Sequence, residues 1–302
     1  MKILVTGSNG LLGQKLIALL QQQAGVEVVA TSRGANKMAA LYPEVRFVAL
    51  DVANREQVQQ VLQQEKPSHL LHTAAMTNVD ECELQQAECW QQNVTAVQYL
   101  VEACEQQHIH LLHLSTDFVF SGIEGPLRED AEPAPVNFYG QSKLAAEQLV
   151  QHCQTPWAIL RTVLVYGVAH EYGRTNIVLW VRDSLQAGKP INVVNDQFRT
   201  PTLAEDLAQG CWLAARHNAT GIYHLSGREL YTPYQMAMQV AAFFGLNVAL
   251  ITPVDASTFS QPAKRPLRTG FVISKAEGDL GYYPRSFAEG IALVAVQAME
   301  AL

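Results

Sequence analysis

We read an α/β protein from this sequence: a parallel sheet wound on both faces by helices, followed by a smaller and mostly helical lobe. Short continuous apolar runs rich in Val, Ile and Leu recur at 2–6, 27–31, 46–50, 69–72 and 109–114. Between them, at 13–23, 54–64 and 85–107, apolar residues return at three- and four-residue spacing. A glycine-rich turn closes the first run. Strands apolar on both faces and joined by helices belong to parallel sheets covered on both sides. The expectation is a Rossmann-type, doubly wound sheet, which takes its ligands at the carboxyl ends of the strands.

The first run leads into Gly7-Ser-Asn-Gly10-Leu-Leu-Gly13 and an amphipathic pattern. Gly7 permits a sharp turn, and Gly10 lets backbone N–H groups approach a pyrophosphate at the helix N-terminus. Gly13 lets helix and strand pack closely. Gly7, Ser8, Asn9, Gly10, Leu11 and Leu12 are therefore candidate dinucleotide contacts. Glycines at such a turn can also serve the turn alone, and the spacing differs from the Gly-x-Gly-x-x-Gly of many dehydrogenases. Their place inside a βαβ pattern at residue 7 favours the dinucleotide.

The second run ends in Ala30-Thr31-Ser32-Arg33-Gly34, without the acid that accepts from an NAD ribose. Ser32 followed by Arg33 suits a 2′-phosphate, which a guanidinium grips with two hydrogen bonds. NADP(H) is the expected cofactor and NAD(H) the less favoured one, with an ordinary surface arginine as the plain alternative. After the third run, Asp51 is a candidate acceptor for the adenine amino group, or else a helix N-cap, and Val52 follows it in the same cofactor set. Ala74 and Ala75, after the fourth, are small enough for the cofactor ribose to lie against them, though they also suit simple packing. Thr77 and Asn78 are candidates for sugar hydroxyls. Asn93, inside the 85–107 pattern, is a polar residue of the kind that braces a site.

The fifth run ends in Leu114-Ser115-Thr116-Asp117, and some twenty residues on comes Tyr139-Gly-Gln-Ser-Lys143. Positions i and i+4 share a helix face, so phenol and ammonium can address one point. An ammonium favours the phenolate and brings a phenol with a pKa near ~10 toward the working range. Tyr139 is thus a candidate proton donor, Thr116 a candidate partner for a carbonyl oxygen, and Lys143 a candidate ligand of the nicotinamide ribose. Tyr139 and Lys143 count among the cofactor contacts as well as the catalytic residues. His108-Ile-His110-Leu-Leu-His113 invites a metal reading. His110 and His113 face opposite ways on a strand, however, and no carboxylate or cysteine completes a ligand set, so no metal is expected.

Past residue 165, glycine, proline and arginine become more frequent, while helical spacing persists at 176–187, 203–217, 233–245 and 287–301. We divide the chain into a dinucleotide-binding domain, 1–165, and a substrate lobe, 166–302, with 203–225 as a segment that can rejoin the first sheet. Lys264, Arg265, Arg268, Arg174 and Arg199 concentrate positive charge in that lobe. A nucleotide-sugar diphosphate needs such cations; solvated arginines and internal ion pairs are the other reading. The 302 residues as a whole carry a net charge of −7, which disfavours nucleic acid and anionic membranes as partners. The five cysteines are scattered and odd in number, fitting reduced thiols in the cytoplasm. No targeting segment is expected, and no apolar run approaches the ~20 residues of a membrane span. A homodimer is left open.

The chain resembles an extended short-chain dehydrogenase/reductase, and within that superfamily the dTDP-4-dehydrorhamnose reductase branch. The segments that carry the resemblance span nearly the whole chain: 7–13, Ala74-Ala-Met-Thr-Asn-Val-Asp80, Ser115-Thr-Asp-Phe-Val-Phe120, Tyr139-Gly-Gln-Ser-Lys143, Asp196-Gln-Phe-Arg-Thr-Pro-Thr202 and Arg265-Pro266. It implies a first sheet of seven strands and a catalytic triad of Thr116, Tyr139 and Lys143. It also implies that Arg161, Thr162 and Val163 border the nicotinamide. Three departures stand out. Phe118 follows Asp117 where dehydratases of the superfamily carry Glu, Arg199 replaces a Gly common in the branch, and Met76 replaces an aromatic. The function implied is NADPH-dependent reduction of a keto group on a nucleotide sugar, with Arg199 and Arg265 as candidate substrate residues beside Thr77 and Asn78. An epimerase is the first alternative. The second is a non-catalytic NADP-binding regulatory subunit like that of methionine adenosyltransferase.

Overall fold

The computed structural model describes residues 1–170 and 175–300; Arg174 lies outside them. The first half runs β1 (Lys2–Thr6), α1 (Leu11–Leu20), β2 (Glu27–Ser32), β3 (Arg46–Ala49), α2 (Arg55–Glu65), β4 (His69–His72), α3 (Val79–Leu84), α4 (Gln86–Trp90), α5 (Ala96–Gln107) and β5 (His110–Thr116). Next come α6 (Phe138–Gln151), β6 (Trp157–Thr162), β7 (Val165–Tyr166), α7 (Ile177–Gln186), β8 (Ile191–Val194) and β9 (Thr202–Leu203). The chain ends with α8 (Ala204–Arg216), β10 (Gly221–His224), α9 (Pro233–Phe243), β11 (Ile251–Val254), α10 (Ser274–Leu280) and α11 (Phe287–Glu300).

Seven strands pair in parallel in the order β10-β6-β5-β4-β1-β2-β3, which is a Rossmann-type sheet. The chain starts at the centre, winds out to β3, then returns through β4 to fill the other side. The order therefore reverses between β1 and β4, where such sheets open a crevice for ligands. The register brings the strand ends level: Thr6 pairs with Thr31 and His72, and Thr116 with Thr162.

Alternation along each strand explains the continuous apolar runs. Ile3 and Val5 of β1 face α1 and α8, packing with Leu16, Ile17, Leu20, Leu207 and Cys211. Leu4, between them, faces α2, α5 and α6 with Val58, Leu62, Leu100 and Val150. Burying each such side chain contributes about 1.5–3 kcal/mol. Residues 204–224 belong to this sheet, since α8 packs on α1 and β10 forms the edge strand beside β6.

The second lobe has a core of its own, in which α7, α9 and α11 pack Val178, Val181, Met236, Val240, Phe287 and Ile291 together. It also holds two short parallel ladders, β8 with β11 and β7 with β9, that apolar periodicity did not reveal. Among the described residues no helix is long and apolar enough to cross a membrane.

Helix starts follow side-chain capping. Asn54, Asn78, Asn137 and Asn176 accept from the backbone N–H three residues on, and Thr232 forms a capping box with Gln235 ahead of Pro233. Asn54, not Asp51, caps α2. The continuous helix expected over 85–107 is broken: Gln85 leaves the helical conformation, and a π-helical turn, Gln91–Thr95, separates α4 from α5. The turn buries the Asn93 amide. It accepts from Met76 N at 2.8 Å and donates to Met76 O at 3.0 Å and Ser142 Oγ at 3.1 Å. π-Turns inside helices often mark functional sites.

Candidate active site

A cleft of about 390 Å³ opens at the strand-order reversal, lined by Gly7, Gly10, Ser32, Arg33, Leu50, Val52, Thr73, Ala74, Ala75 and Met76. Gly7 adopts φ +69°, and a Cβ on Gly13 would lie 2.2 Å from Gly7 O, so neither position admits a side chain without displacing backbone. Unlike the asparagine-capped helices, α1 starts at Gly10 with no side-chain cap. The first-turn N–H groups, Leu11 and Leu12 among them, are left to whatever fills the cleft. Ser8 Oγ is buried with no partner among the described residues. These features fit a dinucleotide pyrophosphate.

Asn9 does more than occupy the turn. Its amide donates to Ala35 O at 2.8 Å and accepts from Lys37 N at 3.1 Å, pinning the loop after β2 beside the glycines. Arg33 rises from that loop, exposed, with no carboxylate partner among the described residues. Asp51 turns its carboxylate to Ala53 N at 3.0 Å and is absent from the cleft lining, where Val52 stands. Glu81, Gln85, Glu88 and Gln92 complete the far wall. Sequence reasoning missed these four because only the broken 79–95 helix aims them at the cleft.

Met76 joins this cleft to a buried cluster of Cys82, Cys89, Phe118 and Tyr139. Asn137 starts α6 here, accepting from Gly140 N at 2.8 Å, and its amide donates to Lys264 O in the second lobe at 2.7 Å. Gly140 lets the helix meet the turn after β5, since a Cβ there would be 2.2 Å from Phe118 O. The Tyr139 phenol lies beside the Thr116 hydroxyl, and Thr116 donates to Asp117 Oδ1 at 3.1 Å. Four residues on, Lys143 Nζ donates to Leu114 O at 2.7 Å and meets His113 Nε2 at 3.2 Å.

The electrostatics refine the sequence argument. Burial pushes the Tyr139 phenol above its ordinary range, more than the Thr116 hydroxyl pulls it back, and the neighbouring Asp117 adds to the rise. The lowering expected from the Lys143 ammonium does not figure among the influences on the phenol, and desolvation dominates. Tyr139 is a neutral phenol, which is the form that can give a proton. Burial lowers Lys143 to about 8, opposed by Glu147 and Cys89.

Below the site lies a buried ion pair. Arg161 donates to both Glu147 oxygens, Nε at 2.9 Å and Nη2 at 2.7 Å, and Ser115 Oγ donates to Glu147 Oε1 at 2.5 Å. The Arg161 side chain therefore faces the interior, while Thr162 and buried Val163 follow it beside Thr116. Arg199 is likewise buried. Nη1 donates to Phe198 O and Leu267 O, Nη2 to Pro266 O and Gln197 Oε1, and Nε lies 3.7 Å from Asp117 Oδ2. Asp117 also accepts a very short bond from Thr269. Arg265 holds Asp80 with two hydrogen bonds, of 2.6 and 2.7 Å, and reaches Ala263 O. Both arginines named as substrate cations thus spend their donors within the protein, whereas Lys264 and Arg268 are exposed. Asn78 is taken up as the α3 cap, and Thr77 is exposed at the rim. Among the described residues no group of His, Cys, Asp and Glu gathers as a metal site.

Comparisons with known proteins agree with this architecture. The chain is 30% identical over 305 residues to dTDP-4-dehydrorhamnose reductase of Aggregatibacter actinomycetemcomitans, covering 96% of this chain and 97% of that one. It is 30% identical over 259 residues to methionine adenosyltransferase 2 subunit beta of Xenopus tropicalis, covering 84% and 75%. In fold it is similar to dTDP-4-dehydrorhamnose reductase of Bacillus anthracis, solved in complex with NADP, with a TM-score of 0.83 at 27% identity over 98% and 99% of the chains. The model of the RmlD substrate binding domain matches residues 1–299, and the chain belongs to that family.

Proposed function

We propose that this protein is an NADPH-dependent reductase of a keto group on a nucleotide sugar, resembling dTDP-4-dehydrorhamnose reductase. The observation that supports the reading is Tyr139 beside Thr116, with Lys143 one turn on along the same helix, next to a glycine-lined cleft at the sheet's reversal point. Bound NADPH supplies the hydride. Tyr139 gives its phenolic proton to the substrate oxygen as the carbonyl carbon is reduced, so C=O becomes CH–OH. Thr116 holds that oxygen, and Lys143 orients the cofactor ribose and restores the phenol's proton. Gly7, Ser8, Asn9, Gly10, Leu11 and Leu12 cradle the pyrophosphate, Ser32 and Arg33 take the 2′-phosphate, and Val52, Ala74 and Ala75 line the adenosine. No carboxylate follows Asp117, since Phe118 packs its ring edge-on to Tyr139 with centroids 5.7 Å apart. Water elimination therefore lacks its second acid–base group.

Residues 1–165 with 203–225 form the cofactor unit in this reading, and the rest is the substrate lobe. Arg199 and Arg265 shape that lobe from within, leaving Lys264 and Arg268 to meet a diphosphate. The deciding experiment is NADPH oxidation against a panel of 4-keto nucleotide sugars and simple ketones, with Tyr139→Phe as control. Consumption of NADPH with a ketosugar, lost in Tyr139→Phe, is the expected result. Tightly held cofactor with sugar interconversion and no net consumption would identify an epimerase. Binding of NADPH without turnover on any substrate would identify a regulatory subunit.

A further inference from the structure

His113 is the buried group that this mechanism leaves unused, and its setting is unusual. Its ring is fully enclosed on β5, in an otherwise leucine-rich strand. It stacks on His72 of β4, with centroids 5.3 Å apart and planes 28° apart. Thr6 Oγ1 accepts from Thr73 N at 3.1 Å and Ala74 N at 3.4 Å, so its own proton goes to His72 Nδ1 at 2.7 Å. That leaves the His72 proton on Nε2, which has no partner among the described residues. His113 has the mirror arrangement: Nε2 faces Lys143 Nζ at 3.2 Å, while Nδ1 is buried without a partner.

An imidazole with one orphaned nitrogen is a net cost in an apolar strand interior, where leucine would pack without loss. The position makes physical sense only if the other nitrogen is used. Burial and the adjacent ammonium hold His113 well below its ordinary range, so the ring is neutral and its Nε2 is an acceptor. Lys143 has three N–H bonds, and Leu114 O and His113 Nε2 take two of them from the β5 side. The third is not taken up by β5.

We infer that His113 is a positioning residue for the reaction, fixing the direction of the Lys143 ammonium and keeping it charged inside a desolvated site. The charged and titratable groups that face Lys143 are His113 from β5, His72 from β4, Glu147 from α6 and Cys89 from α4. Of these, among the described residues, His113 is the one hydrogen-bonded to Nζ. The inference rests on the reductase reading for its catalytic meaning, but its test does not require turnover.

The test is an NMR titration of the protein labelled with 13Cε-lysine, the Lys143 signal being assigned with Lys143→Met. His113→Leu is expected to lower the Lys143 midpoint by about one pH unit, the scale of a lost hydrogen bond to a charged form. His113→Gln, which keeps an acceptor, returns most of that shift. His110→Leu removes a comparable buried histidine from the same strand, one that pairs with His69 and Ala219 O instead, and leaves the midpoint in place. Should His113→Leu not yield folded protein, His113→Met carries the same comparison. An unchanged midpoint in a folded apolar variant overturns the inference. So does an equal shift in His110→Leu. A wild-type protein that reduces no ketone while showing the expected shifts would sink the reductase reading alone.

Discussion

The Nε of Arg199 lies 3.7 Å from Asp117 Oδ2, and both groups are almost fully buried behind the Thr116 hydroxyl that Asp117 accepts from. Burial raises the Asp117 carboxyl, while Arg199 and the Thr269 and Thr116 hydroxyls pull it down. The arginine therefore compensates a buried charge next to Thr116 and also ties the 197–199 loop to 266–267.

Arg199→Ala should destabilise the protein by about 3 kcal/mol or more, because an unpaired buried charge is left behind. Arg199→Ala with Asp117→Asn should recover part of that loss. Urea unfolding of the wild type, the two single variants Arg199→Ala and Asp117→Asn, and the double variant measures it. A loss under about 1 kcal/mol would mean that the pair is not electrostatically coupled.

Tyr139→Phe should reduce kcat by on the order of 10²–10⁴, the usual contribution of a positioned acid. NADPH affinity, read by fluorescence titration, should change little, since the phenol meets Thr116 rather than the glycine cradle. Wild-type turnover in the variant would remove Tyr139 from proton donation.

Arg33→Ala should cost NADPH far more than NADH, by roughly tenfold to a hundredfold in kcat/KM, as expected for losing charge-assisted bonds to a 2′-phosphate. An unchanged NADPH/NADH ratio would reduce Arg33 to an ordinary surface residue.

Lys143 titrates at about 8 in the folded protein against an ordinary 10.5. Above that pH the ammonium is lost, so kcat/KM should fall on the alkaline side. Stability should move the other way. Between about pH 8 and 10.5 the unfolded chain holds more protons at this lysine than the folded one, and its contribution to stability rises with pH. Lys143→Met should abolish that rise in pH-dependent thermal unfolding, and a rise that persists would assign it elsewhere.

Glu147→Gln should cost about 3–5 kcal/mol by stranding the Arg161 guanidinium, which both carboxylate oxygens satisfy. Ser115→Ala, which removes one hydrogen bond to the same carboxylate, should cost about 1.5–3 kcal/mol. Denaturant midpoints of the two variants compare them directly, and equal losses would deny the ion pair its role.

Much of the sheet was legible because a strand buried on both faces must be apolar at every position, as Ile3, Leu4 and Val5 are. The glycine turn and the Tyr139–Lys143 spacing were legible for a similar reason, since each is a local geometric demand met within a few residues. The break at 85–95 was not. The apolar spacing continues through it, and only the need to bring Asn93 onto Met76 and Ser142 selects the π-turn.

The chain's own pattern thus determined the winding, the glycine turn and the placing of Tyr139 and Lys143 four residues apart on one helix. Tertiary structure alone decided which charges remain available. Arg199 and Arg265 are indistinguishable from Lys264 and Arg268 as letters, yet the first two fold inward onto Asp117 and Asp80 while the others face solvent. It likewise turned His113 from a strand histidine into a ligand of Lys143. Hydrogen-bond partners thirty to nearly two hundred residues apart are set by packing, and no local periodicity encodes them.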